Sequence, residues 1–119
     1  MLLDGAVRFV EGAKERMARG EREEKGELLL KAQNIILELF QSLNPAIGEK
    51  IYANLTGLYT FIYRRLVEGN LRDDQRCLDE ALKILLQVRE TWREAVAIYR
   101  SEQGSAQTLA PAQGISIQA

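Results

Sequence analysis

The sequence predicts an all-α fold, an antiparallel four-helix bundle followed by a flexible C-terminal tail, and three observations carry that reading. Apolar residues recur at three- and four-residue spacings through four successive segments. Short stretches rich in glycine, asparagine, proline or clustered charge part those segments. The first hundred residues show neither strand-like alternation nor an internal repeat. Helices with short connections pack most simply as antiparallel neighbours.

The first helix is expected over about residues 2–19, with Leu2, Ala6, Phe9, Val10, Ala13 and Met17 on one side. The run from Gly20 to Gly26 supplies two backbone breakers around a charge cluster with nothing to bury, and reads as a connection. A second helix, about 27–43, carries Leu28, Leu29, Ala32, Ile35, Ile36, Leu39, Phe40 and Leu43 on one arc, with Leu30 and Leu37 outside it. Asn44-Pro45 then gives a capping side chain followed by a proline at the first helical position, where no hydrogen bond is lost. The third helix should therefore run from Pro45 to about Glu68 and end at Gly69-Asn70, residues tolerant of the left-handed conformation. Its main stripe is Ile47, Ile51, Leu55, Leu58, Ile62 and Leu66, flanked by Tyr52, Tyr59 and Tyr63; Gly48 and Gly57 fall inside the pattern, as close packing allows. Asp73-Asp74 opens a fourth helix to about Arg100, whose apolar set includes Leu78, Ala81, Leu85, Val88 and Trp92, the last expected in the core. Arg89 falls within the same arc, where its guanidinium needs a partner.

The domain organisation expected is a bundle over residues 1–100 and a low-complexity tail over 101–119, where Glu102 is the only charged side chain and Leu109, Ile115 and Ile117 could dock on an apolar surface.

Composition narrows the function. The 119 residues hold no histidine, which removes the commonest general base, the commonest transition-metal ligand and the partner of most activated nucleophiles. One cysteine, Cys77, can form neither an internal disulfide nor a CxxC site, and its place in an apolar pattern reads as packing. No glycine-rich phosphate loop occurs, and the carboxylates are scattered on polar faces. No catalytic residue, metal or cofactor is therefore expected. A formal charge of −1, from 16 basic and 17 acidic residues, gives no bias toward nucleic acid or an anionic membrane. Arg64-Arg65 with Glu68 reads as a solvated face with helix-spaced ion pairs. No apolar run approaches a membrane span, and cytoplasmic residence is expected.

What remains is surplus apolar surface. Helices three and four carry arcs wider than the stripe of about 100° that a bundle helix needs, and helix two adds Leu30 and Leu37, seven apart and flanked by uncharged Asn34 and Gln41. The candidate partner-binding set is Leu30, Leu37, Tyr52, Leu55, Tyr59, Tyr63, Ile84 and Val88, read as grooves for amphipathic helices. Tyrosine brings large, rigid contact area at small entropic cost. The alternatives are a self-associating structural bundle or a generic helix-binding adaptor.

Specific residues narrow the choice. The opening Met1 to Phe9, the run Lys31-Ala-Gln-Asn-Ile-Ile36, and above all Asn54-Leu55-x-x-Leu58-Tyr59-x-Phe61-Ile62-x-Arg64-Arg65-Leu66-x-Glu68-x-Asn70 resemble the flagellar secretion chaperone FliS family. Leu78-Asp79-Glu80, Leu85, Leu86, Arg89 and Trp92 continue the likeness, which covers about residues 1–98. The resemblance implies a non-enzymatic helical bundle of the bacterial cytoplasm. It would bind the disordered C-terminal segment of flagellin as that segment folds into helices, prevent premature polymerisation, and help deliver the subunit to the cytoplasmic part of the flagellar type III export gate. Family members usually carry further residues before the Met-Leu-x-Asp-Gly stretch, so either a leader lies outside the given sequence or the start is internal.

Overall fold

The computed structural model describes residues 2–109. Four helices follow in order, α1 (Leu2–Ala18), α2 (Arg22–Ser42), α3 (Glu49–Arg72) and α4 (Gln75–Leu109), with a 3-10 turn at Pro45–Ile47. No strand occurs among the described residues, and the helices pack as a four-helix bundle. Met1–Gln87 forms one compact unit, and the chain from Val88 forms a second, whose described part is the rest of α4.

Three contacts set the direction of α2 against α1. A methyl built at Gly5 would stand 3.4 Å from Ile35 Cδ1, the Lys31 ammonium lies 5.7 Å from the Phe9 ring centroid, and a methyl at Gly12 would stand 3.3 Å from Leu28 Cδ1. Each step up α1 is matched by an equal step down α2, as antiparallel pairing requires. The connection is shorter than the charge run suggests. Gly20 turns the chain at φ 74°, the Glu21 N–H donates to Arg16 O at 2.9 Å, and α2 is already helical at Arg22. Glu23 and Glu24 occupy its first turn, where the helix dipole favours negative charge.

Asn44 caps as expected, accepting a hydrogen bond from the Ala46 N–H at 3.0 Å, but the cap starts only a 3-10 turn. Gly48 then adopts φ 115°, open to glycine and costly to other residues, and α3 begins one residue later. Gly48 is thus a hinge between helices, and a methyl at Gly57 would meet nothing within 4 Å, so neither glycine permits close packing. Gly69 does. A methyl there would stand 2.8 Å from Leu78 Cδ2 and 3.1 Å from Cys77 Cβ, so α4 crosses α3 on its bare backbone. The third helix runs through Gly69-Asn70 and closes instead at Asp73, in the left-handed conformation at φ 50°.

A non-glycine residue holds that conformation because its side chain is gripped. Lys25, which the sequence placed in a solvated connection, is buried; its ammonium donates to the Asn70 carbonyl oxygen at 3.1 Å and to the Asp73 carboxylate. Arg22 Nε stands 3.3 Å from the other Asp73 oxygen. A cation therefore sits where the last carbonyls of α3 concentrate negative charge. The hydrogen bond from Lys25, and then the charges of Lys25 and Arg22, hold the Asp73 carboxyl below its ordinary value. A depressed carboxylate stabilises the fold above its unfolded pKa and loses that contribution as pH falls through the folded one. The stability gap between wild type and Asp73→Asn should therefore be full near pH 7 and close as pH falls below the ordinary carboxylate range, as urea denaturation at successive pH values would show. Lys25→Met should lower the midpoint at pH 7 by a similar amount. A gap that persists in acid would place the role of Asp73 elsewhere.

The core is built from alanine and branched side chains: Ala6, Val10 and Ala13 on α1, Leu29, Ala32 and Ile36 on α2, Ile62 and Leu66 on α3, and Leu78, Ala81 and Leu85 on α4. Ion pairs Lys14–Asp79 (2.5 Å) and Arg65–Glu80 (3.2 Å) span α1/α4 and α3/α4. Several side chains depart from expectation. Leu3 and Val7 replace Leu2 and Met17 in the interior, Ile51 is 55% exposed, and Trp92, expected in the core, is 39% exposed. Arg89 is half-buried and engaged, as its arc predicts. The fourth helix runs past Arg100 to Leu109. Residues 101–109 hold good helix formers, one glycine costs only about 1 kcal/mol, and the nearest strong breaker is Pro111. Ile115 and Ile117 lie outside the described residues.

Candidate functional site

On α2, Gly26, Leu30, Gln33, Leu37 and Phe40 follow one another at alternating spacings of four and three, which places them along one side of the helix. Both ends of that row meet α3. A methyl at Gly26 would stand 3.8 Å from Asn70 Oδ1, and the Phe40 ring packs edge-on against Tyr59, centroids 5.6 Å apart at 81°. Gln33, between them, is buried. Leu30 and Leu37 stand on the outer edge of the row and are not covered, at 56% and 42% exposure.

The facing row on α3 is Tyr52, Thr56, Tyr59, Tyr63 and Asn70, again spaced by threes, fours and one double step. Tyr59 is sealed at 1% exposure, while Tyr52, Thr56 and Tyr63 are half-buried. The Thr60 hydroxyl, half-buried one turn beyond Thr56, donates to the Thr56 carbonyl oxygen at 2.7 Å. Thr56 Oγ1 is buried with no hydrogen-bond partner among the described residues. The seam between the two rows is edged by Leu30 and Leu37 on α2 and by Tyr63 and Thr60 on α3, while Tyr52 and Thr56 lie beyond the Phe40–Tyr59 contact that closes it. It runs about 21 Å from Gly26 to Phe40, at about 1.5 Å per residue.

Three of the candidate residues, Leu30, Leu37 and Tyr63, border this seam, and Tyr52, half-buried, lies two turns of α3 beyond its closed end. Leu55 shares the inward stripe of Ile62 and Leu66 and is half-buried. Ile84, also half-buried, belongs to the other side of α3, because it continues the row of Cys77 and Glu80, which Arg65 contacts at 3.8 and 3.2 Å. Tyr59 and Val88 do not belong to an accessible surface: both are buried in the chain itself, Tyr59 because Phe40 closes over it. Thr56, Thr60 and Gln33 were not singled out in the sequence, although their spacing from Tyr52 and Leu30 places them on the same rows.

The far side of α3 differs in chemistry. Phe61 is exposed beneath the Arg65 guanidinium, 6.0 Å from its ring centroid. Arg65 pairs with Glu68 and Glu80, and Arg72 pairs with Glu68 at 3.4 Å. These residues line a cleft with Arg76 and Asp79. Burial, then the nearby Asp74 charge, pushes the Cys77 thiol up, so it stays protonated and unreactive at neutral pH. Among the described residues no helix is long and apolar enough to cross a membrane.

Residues 1–99 match the family model described as flagellar protein FliS. The chain is 34% identical over 102 residues to the flagellar secretion chaperone FliS of Bacillus subtilis, covering 86% of this chain and 75% of that protein. It is 37% identical over 95 residues to the protein of the same name from Salmonella typhimurium, covering 79% and 70% respectively. Against the flagellar secretion chaperone FliSB of Pseudomonas aeruginosa, identity is 36% over 92 residues, 77% of this chain and 73% of the relative.

Proposed function

The chain belongs to the FliS family of flagellar secretion chaperones, and from that premise we propose that it is a cytoplasmic, non-enzymatic holder of the C-terminal segment of flagellin. In this reading the segment folds into helices on the bundle, which blocks premature polymerisation, and the complex is handed to the export gate. The observation that carries it is the pair Leu30 and Leu37, left open beside Tyr63 along a seam whose two ends are closed. Two leucines seven apart match two turns of an incoming helix, the spacing that helix-in-groove recognition reads. Tyr52 extends the α3 surface past the closed end of the seam, and Ile84, half-buried, would offer apolar contact only on the other side of that helix.

The energetics suit a holder of unfolded clients. Apolar burial contributes about 25 cal/mol per Å², and ordering a disordered segment takes back about 2–5 kcal/mol. The balance favours a large contact of moderate affinity. Mixing the chain with the C-terminal segment of the flagellin from the same genome should give a 1:1 complex by calorimetry and a gain in helical circular dichroism beyond the sum of the parts. Absence of heat and of added helicity at micromolar concentrations would remove the reading.

A further inference from the structure

The two rims of the seam that carries Leu30 and Leu37 differ in charge. On α2, moving around the helix away from α3, the leucines come first and Glu27 and Glu38 next, on the edge nearer α1, and both carboxylates are exposed. Lys31 lies on that edge as well, but its ammonium is turned to α1, 5.7 Å from the Phe9 ring centroid. On α3, Arg64 is exposed one residue past Tyr63, on the crest that borders the seam from the other side. Its neighbour Arg65 points the opposite way and is spent on Glu68 and Glu80. Arg64 has no ion-pair partner among the described residues, and neither has Glu27 or Glu38. Unspent negative charge thus flanks the two leucines on one side and unspent positive charge on the other.

We infer that Glu27 and Glu38 on one rim and Arg64 on the other set the direction in which a client helix lies on Leu30 and Leu37, its basic residues along the α2 rim and its acidic residues along the α3 rim. This rests on the reading of the chain as a flagellin holder and adds which way round the client is held. An amphipathic helix presents one apolar edge with a flank on either side of it. Turning that helix end for end, with the apolar edge still on the leucines, exchanges the flanks. Apolar contact is non-directional and nearly indifferent to the reversal, whereas the rims are not. In the matched direction opposite charges meet on both rims, and in the reversed one like charges do. An ion pair at a wet rim is worth little by itself, but the two directions differ by an attraction gained and a repulsion avoided on each rim, and these contributions act together. Arg64 can also hold a client carboxylate bidentately, which fixes register as well as sign.

Two synthetic helices of about 18 residues, long enough to cover both leucines, test the inference. Each carries two leucines seven apart, glutamates on one flank, lysines on the other and a nitroxide at the N-terminus; the second peptide has the two flanks exchanged. Added to the full chain with isotope-labelled leucine methyls, the first peptide should broaden the signal of either Leu30 or Leu37, and the second that of the other leucine, with a directional preference of about tenfold at low salt. The preference should shrink in about 500 mM sodium chloride, where exposed charges are screened. The triple variant Arg64→Glu, Glu27→Lys, Glu38→Lys changes only exposed positions, and it should invert both patterns. Equal broadening of the two leucines, the same leucine broadened by both peptides, or a pattern that the triple variant leaves in place overturns the inference. Failure of both peptides to bind overturns it as well, while the chaperone reading falls only if the flagellin segment itself gives no heat. Self-association of the wild type by light scattering that the triple variant abolishes would assign the rims to a second copy and overturn it too.

Discussion

Tyr59→Ala is expected to destabilise the chain by about 3–5 kcal/mol, the range for removing a buried aromatic side chain. Among the described residues Tyr59 is the largest of the fully buried side chains, and it sits where Phe40 of α2 meets α3 edge-on. Truncation deletes that ring pair and leaves a void that Phe40 cannot fill without breaking the seam that closes one end of the groove. Tyr59→Phe keeps the ring and should lose far less, about 1 kcal/mol. Urea denaturation of the three proteins separates the cases. Flagellin affinity of a folded Tyr59→Ala sample should fall only as far as the distorted seam demands. A variant that keeps full stability and loses binding would return Tyr59 to the partner-binding surface.

The contrast between Tyr59 and its neighbours shows what helical periodicity can and cannot tell. Tyr52, Tyr59 and Tyr63 share a flank by spacing alone, and the sequence alone gives them equal claim to a surface. What separates them is Phe40, which reaches across from α2 and packs edge-on against Tyr59. The same limit explains Ile51. Its spacing from Leu55 and Ile62 turns it inward, yet it is largely exposed, because periodicity fixes a direction and says nothing about whether a neighbour stands there. Trp92 follows the same rule on α4.

Boundaries failed for a different reason. The four helices are legible because each carries a long apolar row, but residue type alone does not tell a chain breaker from a cross-helix contact. Gly26 and Gly69 look like interruptions and lie within helices, Gly69 because Leu78 and Cys77 need its bare backbone. Asp73 looks like the start of the fourth helix and ends the third, because Lys25 and Arg22 arrive from α2 to hold it. Nothing local marks Lys25 as a residue to bury. Its partners are more than forty positions away, and only the antiparallel pairing of α2 with α3 brings them together. Leu30 and Leu37 were legible for the opposite reason: they fall outside their own helix's inward arc, so no tertiary information was needed to leave them exposed.

Leu30→Asp combined with Leu37→Asp is expected to weaken the flagellin complex by about a hundredfold or more while changing folding stability by only about 1 kcal/mol. Each leucine buried against a client helix contributes about 1.5–3 kcal/mol, so losing both removes about 3–6 kcal/mol before the carboxylates are considered. Two carboxylates beside Tyr63 and Thr60 must then lose water on binding, which adds to the loss. In the free chain the same carboxylates stay hydrated, because both positions are exposed, and the remaining cost is the poorer helix propensity of aspartate, about 0.5 kcal/mol at each. The two effects therefore separate cleanly between calorimetry and urea denaturation. Parallel loss of stability and binding would mean that the leucines belong to the interior. Full affinity in a folded double variant would move the client to the Phe61 and Ile84 side of α3, where Arg65 and its carboxylates would make binding fall with salt.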